Sequence, residues 1–207
     1  MRKTQKGALA LAAALAGLTA VVAPAGVAAA APSGSGADQA VAARSDAARF
    51  TAEAREAGLS TAEIGTLQRE VDTYLAQYGG KTVAANKVAN RDGSTTLFPL
   101  PGEKYAHELN SGLDGNNPRT ALASCSYGAF CGYKGANYTG QSRTWIQCGT
   151  YEIPDGWNSG GSWNNNQTHQ LQAVMRNRSH QPVYVTPPAP SKDSHGNWGP
   201  VWFVTNC

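Results

Sequence analysis

The stretch from Cys125 to Gly140 constrains the fold more than any other part of the chain, because it sets two cysteines, two tyrosines and a glycine at short offsets. Cys125 and Cys131 are close enough in sequence to close a short loop. Tyr133 and Tyr138 follow, and Gly140 can adopt a backbone angle that side chains disfavour. The pattern predicts a hairpin folded over on itself, with the two rings covering its turn. Nothing in the stretch resembles a catalytic motif.

The first 31 residues have the three parts of a secretory signal peptide. A basic start is followed by an apolar run over residues 8–22 and by small residues up to Ala31, before Pro32. The apolar run is short and flanked by small residues, which disfavours a membrane anchor. We therefore expect a secreted, extracellular protein that has no membrane attachment after the signal is cleaved.

Cleavage of this segment also changes the charge balance. Three of the 17 lysines and arginines lie in it (Arg2, Lys3 and Lys6), which leaves 14 against 14 aspartates and glutamates. A net charge near zero gives no electrostatic basis for binding nucleic acid. We expect no nucleic-acid partner.

The four cysteines all lie in the last part of the chain, and an even count in an exported protein predicts two disulfides. Three pairings are possible. We favour Cys125–Cys131, because it is local, and Cys148–Cys207, because it would attach the C-terminus. A zinc site is the alternative, but the chain has no Cys-x-x-Cys pair and the export context is oxidising.

The middle of the chain predicts a helix followed by a β-hairpin. Residues 60–63 form a capping box, apolar residues then recur at helical spacing, and Gly79–Gly80 ends the pattern. Strands are predicted over 82–88 and 95–98, with a turn at 91–93. The predicted segments are a signal peptide (1–31), an Ala-rich linker or helix (32–59), a helix plus hairpin (60–102), a linker (103–120) and a β-domain (121–207).

The last segment has the composition of a small all-β domain. All five tryptophans lie there, and short β-type runs alternate with glycine, asparagine and proline. Several short strands separated by turn signals favour a sandwich or barrel. The predicted fold class is mainly β, with the helix and hairpin preceding a disulfide-linked Greek-key barrel or sandwich.

Two motifs together resemble a known family. The stretch from Cys125 to Gly140, followed by the Ser-Trp-Asn-Asn run that begins at Ser162, resembles the βγ-crystallin-like fold, and more narrowly the secreted actinobacterial metalloproteinase inhibitor family (peptidase inhibitor family thirty-six). The resemblance covers roughly residues 121–180. It implies a wedge of two Greek-key motifs and inhibition of an extracellular metalloprotease by steric occlusion. The residues that carry the fold motif are Tyr133, Tyr138, Gly140, Ser162 and Trp163.

The inhibitory segment of that family does not transfer to this chain. In the family it is held by a second short disulfide loop, whereas the remaining cysteines here are Cys148 and Cys207. The candidate replacement is a loop over residues 187–198, where prolines would lower the cost of ordering. Lys192, Asp193 and His195 would face the protease, with Asp193 or His195 approaching its metal. The alternative is an ordinary loop between strands.

Other functions fit parts of the sequence. Exposed aromatic rings would suit a cell-wall or glycan-binding module, or an antimicrobial one. Asn158 and Ser162 half match a crystallin-type calcium site, but their run contains no carboxylate, and calcium prefers several charged oxygens. A calcium-binding structural protein is therefore a further alternative. The histidines and serines form no catalytic or metal-binding pattern, so we expect no enzyme, no cofactor and a monomer.

Overall fold

The computed structural model describes residues 36–109 and 125–207. The predicted signal peptide, and most of the linker predicted over 103–120, lie outside these residues. Two helices open the described part, α1 (Gly36–Glu56) and α2 (Thr61–Tyr78). The first confirms the helical alternative for the Ala-rich segment.

Eleven strands follow in the described part of the chain. They are β1 (Lys81–Ala84), β2 (Lys87–Ala89), β3 (Thr95–Leu97), β4 (Ala129–Tyr133), β5 (Ser142–Trp145), β6 (Thr150–Glu152), β7 (Gly160–Asn166), β8 (Val174–Arg176), β9 (Pro182–Val185), β10 (Ser191–Asn197) and β11 (Phe203–Thr205). They form a seven-stranded sheet in the order β1-β2-β3-β5-β4-β7-β10 and a four-stranded sheet in the order β6-β11-β8-β9. The described residues are thus mainly β, as predicted.

Helix α2 begins and ends where the sequence predicts. The Ser60 side chain accepts a hydrogen bond from the Glu63 backbone N–H, and the Glu63 carboxylate accepts one from the Ser60 N–H at 2.8 Å. This is the reciprocal capping box, which satisfies amides that the helix leaves unpaired. Gly79 ends the helix at φ 70°.

The hairpin differs from its prediction in two ways. The strand predicted over 82–88 is broken into β1 and β2 by a turn, at which the buried Asn86 amide donates 2.8 Å hydrogen bonds to the carbonyls of Phe98 and His107. The hairpin also does not form a separate unit with α2. Strand β3 pairs with β5, so the segment predicted over 60–102 and the C-terminal domain share one sheet.

Buried polar groups fix this junction. Arg143, a residue only 4% exposed, donates through its guanidinium to the Ser94 hydroxyl at 3.0 Å and to the Asp92 carboxylate at 2.5 Å. From the helix, the Tyr74 hydroxyl lies 2.8 Å from that of Thr96. Burial raises the pKa of Tyr74, so the phenol stays neutral and keeps its role in this network. The helix and the hairpin are therefore both attached to the C-terminal strands.

The strand order links the C-terminal strands in two sets of four. Strands β4, β5 and β7 lie together in the larger sheet, while β6, from the same set, lies in the smaller one. Strands β8, β9 and β11 lie in the smaller sheet, and β10 crosses to the larger. Each set thus gives its third strand to the sheet of the other, which interlocks the two halves.

The core between the sheets is built from indole rings. Trp145, Trp157, Trp163 and Trp198 are each at most 2% exposed. Three of them surround Gly132 on the interior strand β4, where an added Cβ would lie 2.9 Å from Trp157 and 3.1 Å from both Trp145 and Trp198. Only a glycine fits at this point of closest approach.

Replacing this glycine tests whether the indole core limits stability. The Gly132→Ala variant should lose about 1–3 kcal/mol of unfolding free energy, because overpacking displaces several rings at once. Urea unfolding followed by tryptophan fluorescence measures the loss. The control is Gly160→Ala, since nothing lies within 4 Å of a Cβ added there. Equal stability of the two variants would contradict the packing described here.

Candidate functional site

The folded corner predicted from Cys125–Gly140 lies between β4 and β5. A 3₁₀ turn at Ala136–Tyr138 holds Asn137 at φ 53° and Tyr138 at φ 62°, and Gly140 follows at φ 76°. The rings of Tyr133 and Tyr138 meet edge to face, with centroids 5.3 Å apart. Positive φ angles at non-glycine residues are unfavourable, so other contacts must hold this corner.

Ser162 on β7 provides such contacts. Its hydroxyl donates to the Gly135 carbonyl at 2.7 Å and accepts from the Tyr138 backbone N–H at 2.8 Å, and the residue is fully buried. The hydroxyl therefore serves the corner, while its role as a calcium ligand stays a prediction. Asn158 is exposed in the turn before β7. Within 36–109 and 125–207, no three His, Cys, Asp or Glu residues are grouped to hold a metal ion.

Removing the Ser162 hydroxyl should loosen the corner. We expect Ser162→Ala to cost about 1–3 kcal/mol, because the half-buried Tyr138 amide and Gly135 carbonyl lose their partner. Hydrogen exchange at the Tyr138 amide should accelerate. Ser159→Ala, at an exposed position three residues earlier, is the matched control. An unchanged exchange rate at Tyr138 in the Ser162 variant would show that the hydroxyl does not hold the turn.

Tyr133 makes the corner sensitive to alkaline pH. Burial, and secondarily the nearby Tyr138, raises its pKa from the ordinary 10.0 to about 12. The unfolded chain therefore releases this proton first, and its contribution to stability is complete below pH 10 and falls as pH rises toward 12. Urea unfolding measures the free energy of unfolding at each pH. Between pH 9 and 11.5 this free energy should fall by roughly 2 kcal/mol less in Tyr133→Phe than in the parent protein. Parallel pH profiles would contradict this assignment.

The predicted disulfide pairing is confirmed. Cys125 and Cys131 are joined with Cα atoms 5.8 Å apart, and Cys148 and Cys207 with Cα atoms 5.4 Å apart. No cysteine of the described residues is free, which removes the zinc alternative. The second bridge attaches the C-terminus beside Gly149, whose N–H donates to the Asn206 side chain at 3.0 Å.

The predicted inhibitory loop is not a loop. Lys192, Asp193 and His195 lie in β10, which pairs with β7 and is the end strand of the larger sheet. The prolines bound only the turn before it, where the Ser191 hydroxyl donates to the Pro187 carbonyl at 2.9 Å. The prediction failed because the polar run 191–197 has no apolar alternation, although an edge strand needs none.

A bulge interrupts β10 where these side chains lie. The pairing register shifts between Asp193 and Gly196, opposite Ser162. The His195 backbone N–H, turned away from the ladder, donates to Asp193 Oδ1 at 2.8 Å, and His195 Nδ1 lies 2.8 Å from the Ser194 hydroxyl. Bulges of this kind redirect side chains at sheet edges.

A cleft of about 330 Å³ separates β10 from β9, the end strand of the smaller sheet. Buried Trp163, Met175 and Val201 form its floor, and Tyr184, Asp193 and His195 lie at its rim. The sequence predicts a strand at β9 but not its exposure. Its apolar run is typical of a buried strand, yet Val183, Tyr184 and Val185 are 40%, 41% and 46% exposed.

The tryptophans contribute little to the surface. Four of the five are buried, and the fifth, Trp202, is half-buried with the Arg178 guanidinium 5.1 Å from its ring centre. Among the described residues the exposed large aromatic side chains are Tyr127 and Tyr184. The glycan-binding alternative therefore lacks the row of exposed rings that it would use.

Comparison of the chain with known protein families, curated proteins and solved structures finds no match. The resemblance to the inhibitor family stays a prediction that rests on the residues themselves. No helix of the described residues has the length and apolar character needed to span a membrane.

Proposed function

We propose that this chain is a secreted, βγ-crystallin-like inhibitor of an extracellular metalloprotease, and that it occludes the protease cleft with the free edge of β10. The observation that carries the proposal is the placement of Lys192, Asp193 and His195 together on an end strand. The protein performs no chemistry in this account. Its surface is the functional part.

The strand order supports the fold assigned in this proposal. Each set of four consecutive strands gives its third strand to the opposite sheet. Two interlocked Greek-key motifs require an exchange of this kind. The folded corner between β4 and β5, which Ser162 holds, lies in the first of the two motifs. The sequence motifs and the topology thus favour the same fold.

The edge of β10 supports the mode of binding. An end strand has backbone amides and carbonyls on one side with no ladder partner, and an extended segment of another protein can pair with them. Strand β10 carries charged side chains, which suppress unspecific pairing and leave it available for a matched partner. The bulge brings Asp193 and His195 close together at this edge.

Preorganisation supports inhibition in particular. Strand β10 pairs with β7. The proline-containing turn before β10 is also held by backbone hydrogen bonds to the segment before β8. The Ala189 N–H donates to the Leu171 carbonyl at 2.8 Å, and the Thr186 N–H donates to the Ala173 carbonyl at 2.9 Å. A segment that is ordered before binding loses less conformational entropy in the complex. Such a segment suits an inhibitor that must stay bound in an intact form.

Titration of thermolysin-like and other secreted metalloproteases with the full chain tests the proposal. At least one should be inhibited stoichiometrically, and Lys192→Ala with His195→Ala should weaken that inhibition about tenfold or more, since both exposed side chains lie on the contact edge.

The matched control changes a lysine and a histidine elsewhere, Lys81→Ala with His169→Ala, both exposed and outside β10. It should inhibit like the parent protein. Absence of inhibition across the panel, or equal weakening by both double variants, would reject the proposal. Retention on chitin, glucan or peptidoglycan with no inhibition would favour the glycan-binding alternative instead.

A further inference from the structure

The cleft between β9 and β10 combines an apolar floor with a single carboxylate. Asp193 stands directly opposite Trp163 in the β10–β7 ladder, and residues opposite each other share a face. Trp163 points into the space between the sheets, so Asp193 points to the mouth of that space. The carboxylate is thus aimed at the cleft and away from the outer face.

No cation within the described residues neutralises this carboxylate. Asp193 Oδ1 accepts the His195 N–H at 2.8 Å, and no lysine or arginine lines the cleft. Lys192 pairs with Asn164 in the ladder and so lies on the opposite face from Asp193. The negative charge of Asp193 also affects two neighbouring tyrosines. Burial is the main cause of the raised pKa of Tyr184 and of Tyr138, and the Asp193 charge is the second cause.

The walls of the cleft suit the stem of a long side chain. Met175, Val183 and Val201 supply apolar surface, and the half-exposed ring of Tyr184 lies beside that of Trp163 with centroids 6.0 Å apart. Apolar walls accept methylene groups, an aromatic face attracts a cation, and a carboxylate completes the site for an ammonium or guanidinium.

We propose that the cleft binds a lysine or arginine side chain of an extended peptide segment that pairs with the free edge of β10. Strand β10 is the end strand of the larger sheet and β9 is the end strand of the smaller one, so the gap between the sheets lies between these two strands. A peptide strand that pairs with β10 therefore lies across this gap. Every second side chain of the added strand then points into the gap. The inference rests on the proposed use of β10 as a binding edge and assigns a specificity to it.

Fluorescence polarisation with the full chain tests the inference. The probe is a fluorescein-labelled peptide, Ser-Thr-Val-Lys-Val-Thr-Ser, and its matched partner carries norleucine in place of lysine. The lysine peptide should bind about tenfold more tightly than the norleucine peptide, and Asp193→Asn should remove that difference. The asparagine keeps an acceptor for the His195 N–H, so the bulge is retained.

Two further variants keep the test decisive. Glu152→Gln removes the same charge from an exposed position on β6 and should leave lysine-peptide affinity unchanged. Tyr184→Leu should weaken lysine-peptide binding roughly threefold and leave norleucine-peptide binding unaltered. Equal affinity for the two peptides, or equal effects of Asp193→Asn and Glu152→Gln, would overturn the inference. Displacement of the lysine peptide by butylammonium at the same concentration as the peptide would also overturn the inference, because the backbone pairing with β10 would then contribute nothing to the affinity.

The outcome is separable from that of the protease titration. Lysine-dependent peptide binding without inhibition of any protease would reject the proposed target class and keep the cleft assignment. Protease inhibition that is indifferent to Asp193→Asn, together with no lysine preference, would reject the cleft assignment and keep the inhibitor.

Discussion

Close packing of four buried indole rings against glycines of the larger sheet is the constraint on which the rest of the structure depends. At Gly132 three rings approach a backbone that has no room for a Cβ, and at Gly161 an added Cβ would lie 2.0 Å from Trp198. Because no Cβ fits at these two positions, the contacts fix the distance between the two sheets and the residues that face each other across it. Because Trp163 is part of this layer, the strand that carries it holds β10 in place, with Gly196 of β10 against the Trp163 ring.

Polar contacts extend this core to the helices. Arg143 on β5 reaches the hairpin turn at Asp92, and Tyr74 on α2 reaches Thr96 on β3. On the opposite flank Gln77 donates to the Asp155 carboxylate at 2.5 Å, and the Tyr78 hydroxyl accepts the Asp155 N–H. Burying a guanidinium is costly unless it is fully paired, so these contacts stabilise one placement of the N-terminal segment above others. The edge at β5 is covered by β3, whereas β10 is an end strand among the described residues.

Local sequence signals predicted the parts of the fold that depend on neighbouring residues. The capping box at Ser60 and Glu63, the tyrosine corner and the disulfide pairs all involve contacts that spacing and chemistry can suggest. Long-range pairing was missed. Nothing in Thr95–Leu97 indicates that its partner is β5 across the linker, and the break at Asn86 depends on carbonyls that arrive from residues 98 and 107.

The candidate site shows the same division. The sequence singled out Lys192, Asp193 and His195, but it placed them in a loop, because edge strands with polar residues on both faces lack a periodic signal. The sequence singled out Ser162 as a motif residue, but its role at the corner depends on two backbone partners that are distant in sequence. The cleft with Tyr184 required the spatial meeting of two strand ends from different sheets, which no local pattern encodes.

Native-state hydrogen exchange over residues 187–198 tests most directly whether β10 is an ordered edge before it meets any partner. We expect the β10 amides paired with β7 to exchange slowly, on the timescale of the interior strand β4, and the outward amides of the same strand to exchange fast. Uniformly fast exchange across 191–197 in the free protein would contradict it, because a mobile loop would then replace the prearranged binding edge.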